Sequence, residues 1–434
     1  MIGRILDLSV RFRWAVIALV TLVAALGVYN LVRLPIDAVP DITNKQVQIN
    51  TVSGTLAPAE VEKLVTFPVE TAMAGIPGLE STRSISRNGF SQVTIVFKEK
   101  TDIYFARQQV AERLTQVRQS LPAGAEPAMG PISSGLGEVL MWTVAYEHPG
   151  GKGAKVTDGA PGWQSDGAYL TSTGERLSDA TAQAAFLREV QDWIVRPQMR
   201  SVAGVAGVDS IGGFEKQFIV QPDPTRMASV GVSFNDLAKA LEAANLAVGA
   251  NFVEKGGEAF LVRADARVRT VDEIANATVA AREGVSIRVR DVATVKLGGA
   301  LRTGAASENG EEVVVGTVLM LTGENSRTVA GASAEKLTEV AKSLPAGVKV
   351  QVVYDRSKLV GATIKTVEKN LVEGALLVIV VLFLLLGNFR AALITALVIP
   401  LSMLMTAIGM NKLGVSGNLM SLGALDFGLI VDGA

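Results

Sequence analysis

Leu422-Gly423-Ala424-Leu425-Asp426-Phe427-Gly428-Leu429-Ile430-Val431-Asp432-Gly433-Ala434, the last stretch of the chain, sets two aspartates in an otherwise apolar run. An ionised carboxylate at mid-bilayer costs roughly 2.5–3.5 kcal/mol on insertion scales. A membrane helix that keeps two of them uses them, most often to carry protons or ions. A buried soluble helix with paired acids would look the same locally. Three further apolar stretches elsewhere in the chain argue against that reading.

Moving toward the N-terminus, Asn411–Asn418 is a short polar loop, and Ala391–Met410 is uncharged, with Pro400 as an expected kink. Gly387-Asn388-Phe389-Arg390 links it to a span over Asn370–Phe389, whose dense core is Ala375–Leu386. Glu368, Lys369 and Glu373 crowd the first turns of that span and are expected to reach water. At the other end of the chain, Trp14–Val32 carries no charge and nearly matches a hydrocarbon core of about 30 Å at about 1.5 Å per residue. A secretory signal peptide is the alternative, but no clear small-x-small cleavage site follows, which favours an uncleaved anchor. Arg4, Arg11 and Arg13 place the N-terminus in the cytoplasm. Alternation then puts Arg33–Lys369 and Asn411–Asn418 outside, and Arg390 falls on the inner side as the same rule requires.

Composition agrees with a mixed architecture. The 434 residues are 49% hydrophobic and 19% charged, with mean hydropathy +0.34. This is too apolar for an ordinary soluble protein and too charged for one wholly within lipid. A net charge of −1 suggests no nucleic-acid partner. The absence of Cys excludes disulfides, thiolate metal sites and cysteine nucleophiles. The single His148 lies in a turn-like stretch, Glu147-His148-Pro149-Gly150-Gly151, and reads as a solvated loop residue.

Between the first two spans, strands and helices alternate. Gln46–Ser53 alternates as a strand, Pro58–Met73 reads as an amphipathic helix, and Ser81–Ser86 and Ser91–Phe97 flank the hairpin signal Asn88-Gly89. Ile103–Leu121 places Val110, Leu114, Val117 and Leu121 on one helical face, and an extended piece follows Pro127. The order is βαββαβ, a ferredoxin-like split motif. A second, interrupted block has strands at Leu140–Tyr146, Gly207–Ile211, Lys216–Gln221, Val313–Leu321 and Val348–Tyr354, with helices at Leu187–Val202 and Arg327–Leu344. Ser120-Leu121-Pro122-Ala123-Gly124 recurs as Ser343-Leu344-Pro345-Ala346-Gly347, which suggests a duplicated unit, although a shared helix-stop signal could give the same letters. Pro222–Leu297 reads as an insertion, with a helix at Phe234–Asn245 and a hairpin about Gly256-Gly257. That hairpin is either ordinary or an arm toward a neighbouring subunit. Pro149–Ala185 is rich in Gly, Ser, Thr, Ala and Asp, with Trp163, Tyr169 and Phe186 as its large anchors, and reads as a surface insertion or mobile loop.

Four motifs resemble one family. They are Leu34-Pro35-Ile36-Asp37-Ala38-Val39-Pro40-Asp41-Ile42-Thr43-Asn44; Gly130-Pro131-Ile132-Ser133-Ser134-Gly135-Leu136-Gly137-Glu138; Gly387-Asn388-Phe389-Arg390-Ala391-Ala392-Leu393; and Asp426 to Ala434. Together they resemble the N-terminal portion of the inner-membrane subunit in the heavy-metal efflux branch of the resistance–nodulation–division transporters, of the cobalt–zinc–cadmium type. The resemblance implies a fold that is membrane α-helical plus α+β. Its parts would be an anchor over 1–33, a first porter subdomain over 34–135 and a second over 136–221 and 300–360, with a flexible insertion at 149–185. A docking subdomain would occupy 222–299, and spans two to four 361–434, the last incomplete. The resemblance further implies a homotrimeric cation/proton antiporter in the cell inner membrane, multi-pass, with a large periplasmic domain. It would work with a periplasmic membrane-fusion adaptor and an outer-membrane channel, would move divalent cations, and would need no resident cofactor.

The family's proton-carrying acids fall on Asp426 and Asp432. Six residues separate them, about 240° around a helix, so a second helix or water would have to bridge them. A further Glu normally follows in the family, and the sequence ends before it. Gly433 after Asp432 favours the metal branch over the multidrug branch, which has adjacent aspartates there. Glu138 is the candidate metal-contacting acid, against a bland reading as a surface loop residue. Asp37 and Asp41 read as loop caps. Met403, Met405, Met410 and Met420 could mark a copper path but read as packing. Zinc, cobalt and cadmium rank ahead of nickel, and nickel ahead of copper.

Rival readings carry less. The sequence has no Walker A loop for an ATP-driven pump, and the Gly-rich stretch Gly204–Gly213 lacks a dinucleotide fingerprint in context. A truncated, non-transporting membrane fragment, a copper/silver pump and a multidrug pump are the alternatives.

Overall fold

The computed structural model describes residues 9–34, 37, 42–54, 56–265, 267–282, 284–302, 304–387, 390, 393, 397–413 and 417. The first aqueous unit is a four-stranded antiparallel sheet of β1 (Gln46–Val52), β2 (Leu79–Arg87), β3 (Phe90–Phe97) and β4 (Glu126–Met129), in the order β2-β3-β1-β4. Alternation decides which face is covered. Val47 and Ile49 of β1 and Val93 and Ile95 of β3 turn inward onto Val69, Met73, Ala106, Val110 and Leu114 of the two helices. The turn Asn88-Gly89 closes β2 onto β3. Gly89 sits at φ +64, and a Cβ there would lie 2.0 Å from the Gly54 carbonyl oxygen, so no larger residue fits.

The second unit repeats this order with longer connections. β5 (Glu138–Tyr146) is followed by a short annex of β6 (Gly162–Trp163), β7 (Tyr169–Leu170) and β8 (Arg176–Leu177), a helix from Ala180 to Arg200, and β9 (Val205–Ile211). An inserted block follows, then β16 (Ala306–Glu308), β17 (Glu311–Met320), the helix Ser326–Val340 and β18 (Val348–Asp355). The sheet reads β9-β17-β5-β18, the same order as the first, with β16 sharing the β17 edge with β9. The two Ser-Leu-Pro-Ala-Gly segments occupy matching corners. Ser120 and Ser343 each donate Oγ–H to a carbonyl three residues back at 2.8 Å, and Gly124 and Gly347 both take positive φ. In both units the first helix widens into a π-turn, at Glu62–Thr66 and at Val190–Val195, just ahead of Pro68 and Pro197. Proline offers no N–H to the preceding turn, and the wider spacing accommodates it.

The inserted block holds β10 (Lys216–Pro222), β11 (Ala247–Lys255), β12 (Glu258–Asp265), β13 (Thr278–Arg282), β14 (Val285–Arg288) and β15 (Ala293–Gly299). β10 pairs with β15 at its base and not with the large sheet, a partner that local sequence could not name. Its own small core joins Met227, Val232, Leu237, Ile287, Val289 and Val292. Gly256 and Gly257, both at positive φ, turn β11 into β12. The segment read from composition as a mobile loop is instead pinned by its aromatics. Trp163 and Tyr169 are buried with Leu177 in the main core, and the Tyr146, Trp163, Tyr169 and Phe186 rings lie 5.0–5.5 Å apart where they meet. Burial raises the Tyr146 phenol's pKa and pushes that of Tyr169 up to about 12.

Among the described residues one helix, Arg13–Arg33, is long and apolar enough to cross a membrane. It packs against the helix Val398–Leu413, which contains Pro400. Gly27 permits the crossing, since a Cβ there would fall 2.5 Å from Leu404 Cβ. Asn411 Nδ2 donates to Asn30 Oδ1 at 2.8 Å across the same pair. The helix Arg356–Leu386 has 31 residues, about 46 Å at the standard rise. It starts fourteen residues ahead of the apolar stretch expected from Asn370 and follows β18 with no intervening residue. Asn388, Phe389, Met420, Asp426 and Asp432 lie outside the described residues, as does the fourth span from Leu419.

Candidate functional site

Glu138 begins β5 opposite Leu319 and is exposed. The connection before it, 130–137, has no regular structure and is held by bonds from four directions. Gly130 N donates to Gln48 O, and Arg107 Nη1 donates to Gly130 O, both at 2.8 Å. Burial lowers the pKa of that guanidinium, which nonetheless stays charged. Thr322 N donates to Ile132 O and Met320 N to Gly137 O, fastening the connection to the end of β17. Gly135 N donates to Thr43 Oγ1 at 3.2 Å. At Gly137 a Cβ would lie 1.8 Å from Ser133 Oγ, so the tight turn ahead of Glu138 needs glycine.

Beside this connection lies an ion pair between a buried guanidinium and a partly buried carboxylate. Arg356, 5% exposed, donates through Nε to Asp37 Oδ1 at 2.9 Å and holds the same oxygen with Nη2 at 2.8 Å. Its Nη1 donates to the Leu136 carbonyl at 3.0 Å. Asp37 N donates to Gly417 O at 2.8 Å. Asp37, expected as a loop cap, is therefore the partly buried charge partner of Arg356. Asp355 caps the following helix by accepting from Ser357 N.

The other expected residues are dispersed. His148 is half-buried in its turn, where its carbonyl accepts from Gly151 N. Met405 is 60% exposed on the helix Val398–Leu413, which also carries Met403 and Met410. Asp41, Asp426 and Asp432 lie outside the described residues. Among the described residues no group of three or more His, Asp or Glu gathers as a cation site, around Glu138 or elsewhere.

Sequence reading missed a second polar chain inside the larger sheet. Trp142 Nε1 donates to Gln191 Oε1 at 3.0 Å, Gln191 Nε2 to Ser210 Oγ at 3.2 Å, and Ser210 Oγ to Asp192 Oδ1 at 2.7 Å. Arg188 closes it with bonds to Asp192 and to Gly212 O. The available signal was two adjacent polar residues, Gln191 and Asp192, inside an otherwise apolar helical face.

Residues 5–434 match the AcrB/AcrD/AcrF family. Across 434 residues the chain is 64% identical to the nickel-cobalt-cadmium resistance protein of Alcaligenes xylosoxydans xylosoxydans. It is 61% identical to the nickel and cobalt resistance protein of Cupriavidus metallidurans, and 51% identical to the cobalt-zinc-cadmium resistance protein of that organism. Each match takes in 100% of this chain and 39–40% of the relative. The crystal structure of a heavy metal efflux pump superposes with a TM-score of 0.80 at 34% identity, over 99% of this chain and 40% of that one.

Proposed function

The chain belongs to the AcrB/AcrD/AcrF family, and on that premise we propose that it supplies part of a proton-driven efflux subunit for divalent heavy-metal cations. The observation that carries this reading is the direct joining of a βαββαβ sheet to a 31-residue helix whose C-terminal half is apolar, in a chain matched end to end by proteins named for metal resistance. Such a subunit sits in the inner membrane as a multi-pass homotrimer. It works with a periplasmic adaptor and an outer-membrane channel. The sheets over 34–135 and over 136–215 with 300–360 act as porter subdomains, and the block 216–299, which includes the β10–β15 pair, as the docking subdomain. Cobalt, cadmium, zinc and nickel form the substrate class, and nickel stands beside cobalt because the relatives at 64% and 61% identity are named for both.

Asp426 and Asp432 serve as the proton relay. Protonation removes the cost of holding a carboxylate charge in lipid, so a proton-bound acid favours a different helix packing from an ionised one. That packing change drives the sheets between two accessibilities. Glu138 offers a carboxylate to the passing cation, a ligand type suited to borderline metals.

The test uses a chimera in which this sequence replaces the matching segment of the Alcaligenes relative, reconstituted in vesicles under a pH gradient. Gradient-driven movement of cobalt or nickel is expected, with Asp426→Asn and Asp432→Asn each abolishing it while insertion stays normal. Cobalt movement that persists without a gradient, or in both variants, refutes the antiport reading.

A further inference from the structure

Resting on that efflux reading, we infer that Arg356 is a positioning residue that locks the helix Arg356–Leu386 to the connection carrying Glu138, so that helix displacement reaches the second sheet without slack. Three observations lead here. First, β18 ends at Asp355 and the helix starts at Arg356, so strand and helix share one rigid backbone at the junction. Second, the Arg356 guanidinium is buried and reaches outward to two other parts of the chain. These are Asp37, in the linker after the anchor helix, and the carbonyl of Leu136, two residues before Glu138. Third, Asp37 N holds Gly417 O, just past the helix Val398–Leu413. Arg356 and its partner Asp37 together thus gather the segments following the first and third helices, the head of the second, and the root of β5.

The chemistry suits a fixed joint. Arginine presents a planar fork of donors that cannot lose its proton, so the link persists at any working pH and either side of a proton gradient. A buried guanidinium without its carboxylate is an uncompensated charge, so the arrangement strongly disfavours states in which the joint opens. Lysine at this position could reach one acceptor as a point charge, but could not hold Asp37 and Leu136 O together in a fixed plane. The register strengthens the case. Asp355 lies opposite Leu140, and the end of β17 is bonded to the 130–137 connection through Ile132 and Gly137. A tug on the helix therefore arrives at Glu138 from both sides.

The test exploits the absence of cysteine in this sequence. Thr322 and Lys365 are both exposed. Thr322→Cys and Lys365→Cys are introduced in the chimera described above, with any cysteine of the remainder replaced, and spin-labelled. The inter-label distance distribution is measured in vesicles with and without a pH gradient. The intact joint is expected to give a narrow distribution that the gradient does not broaden. Arg356→Ala is expected to broaden it under the gradient and to lower the maximal rate of cobalt efflux roughly tenfold, the scale of coupling mutations, leaving the half-saturating cobalt concentration unchanged. Asp37→Asn leaves the buried guanidinium without its counter-charge and is expected to broaden the distribution as Arg356→Ala does. Should Arg356→Ala fail to accumulate, Arg356→Lys takes its place with the same expectation. Parental distances together with parental efflux in the Arg356 variant overturn the inference. A parental chimera that moves no metal refutes the efflux reading instead, and the distance measurement still decides whether the joint exists.

Discussion

Gly316 shows how closely the second sheet is built around its polar chain. A Cβ on this residue of β17 would lie 2.3 Å from the Trp142 ring and 2.6 Å from Gln191 Nε2. Gly316→Ala must push the indole or break its bond to Gln191, and overpacking of this kind costs about 1–3 kcal/mol. A lower denaturation midpoint of the purified chain is the expected result, and an unchanged midpoint refutes the packing argument. The same scale shows where sequence reading stops. Val110, Leu114 and Val117 announce their burial by helical spacing, and the structure buries all three. Arg356 announces nothing, because its partner Asp37 is 319 residues away and both look like ordinary polar residues at element ends. A long-range pair leaves no local period to read.

Elements were legible where their end signals are local. Asn88-Gly89 gave a hairpin, the repeated Ser-Leu-Pro-Ala-Gly gave two helix ends, and the alternation of Val47, Ile49 and Thr51 gave a strand face. Pairing was harder, as β10 shows by joining β15 across the whole inserted block. The caps in that block make a pH prediction. Backbone hydrogen bonding from Arg226 holds the Asp223 carboxyl below its ordinary value of 3.8, and the Ser233 side chain does the same for Asp236. A lowered folded-state pKa contributes stability above the unfolded value that disappears as pH falls through the folded one. Amide protection over Pro224–Ser229 and Phe234–Ala243 is expected to hold at neutral pH and to decline below pH 3.8. Protection that is flat across that range contradicts the capping account. The helix Arg13–Arg33 offers a second element-scale test. Gly27→Val is expected to separate it from Val398–Leu413 and abolish thiol cross-linking between Asn30→Cys and Asn411→Cys, which the parental chain supports. Equal cross-linking in both backgrounds rules out Gly27 as the contact.

At the scale of the molecule, the annex over 149–185 is held to the sheet by a few aromatic rings. Trp163 is 4% exposed, and Tyr169 donates its hydroxyl to Ala346 O at 2.7 Å, reaching the corner before β18. Replacing a buried Trp with Ala typically costs about 3–5 kcal/mol. Trp163→Ala is therefore expected to release the annex and expose it to limited proteolysis, with the four-stranded sheet of β1 to β4 untouched. Resistance equal to the parental chain sinks the anchoring argument. Composition suggested a loose loop here because Gly, Ser and Asp dominate it, and the few aromatics that outweigh them are too sparse to form a periodic pattern. The apolar helices are the reverse case. Their apolar runs are plain in the sequence, while the point at which Arg356–Leu386 begins goes with tertiary contacts at Asp37 and Leu136.

The strand order also imposes a timetable on synthesis. The first sheet has all four strands once Met129 has emerged, whereas β5 is flanked by β17 and β18, which follow long after it in the chain. A nascent polypeptide therefore leaves Val139, Leu140, Trp142 and Val144 without their lattice while the annex and the whole inserted block are being translated. Such late-closing, non-local pairing is slow and prone to aggregation. The burden on chaperones should accordingly fall on the second unit, during the interval before Asp355 leaves the ribosome.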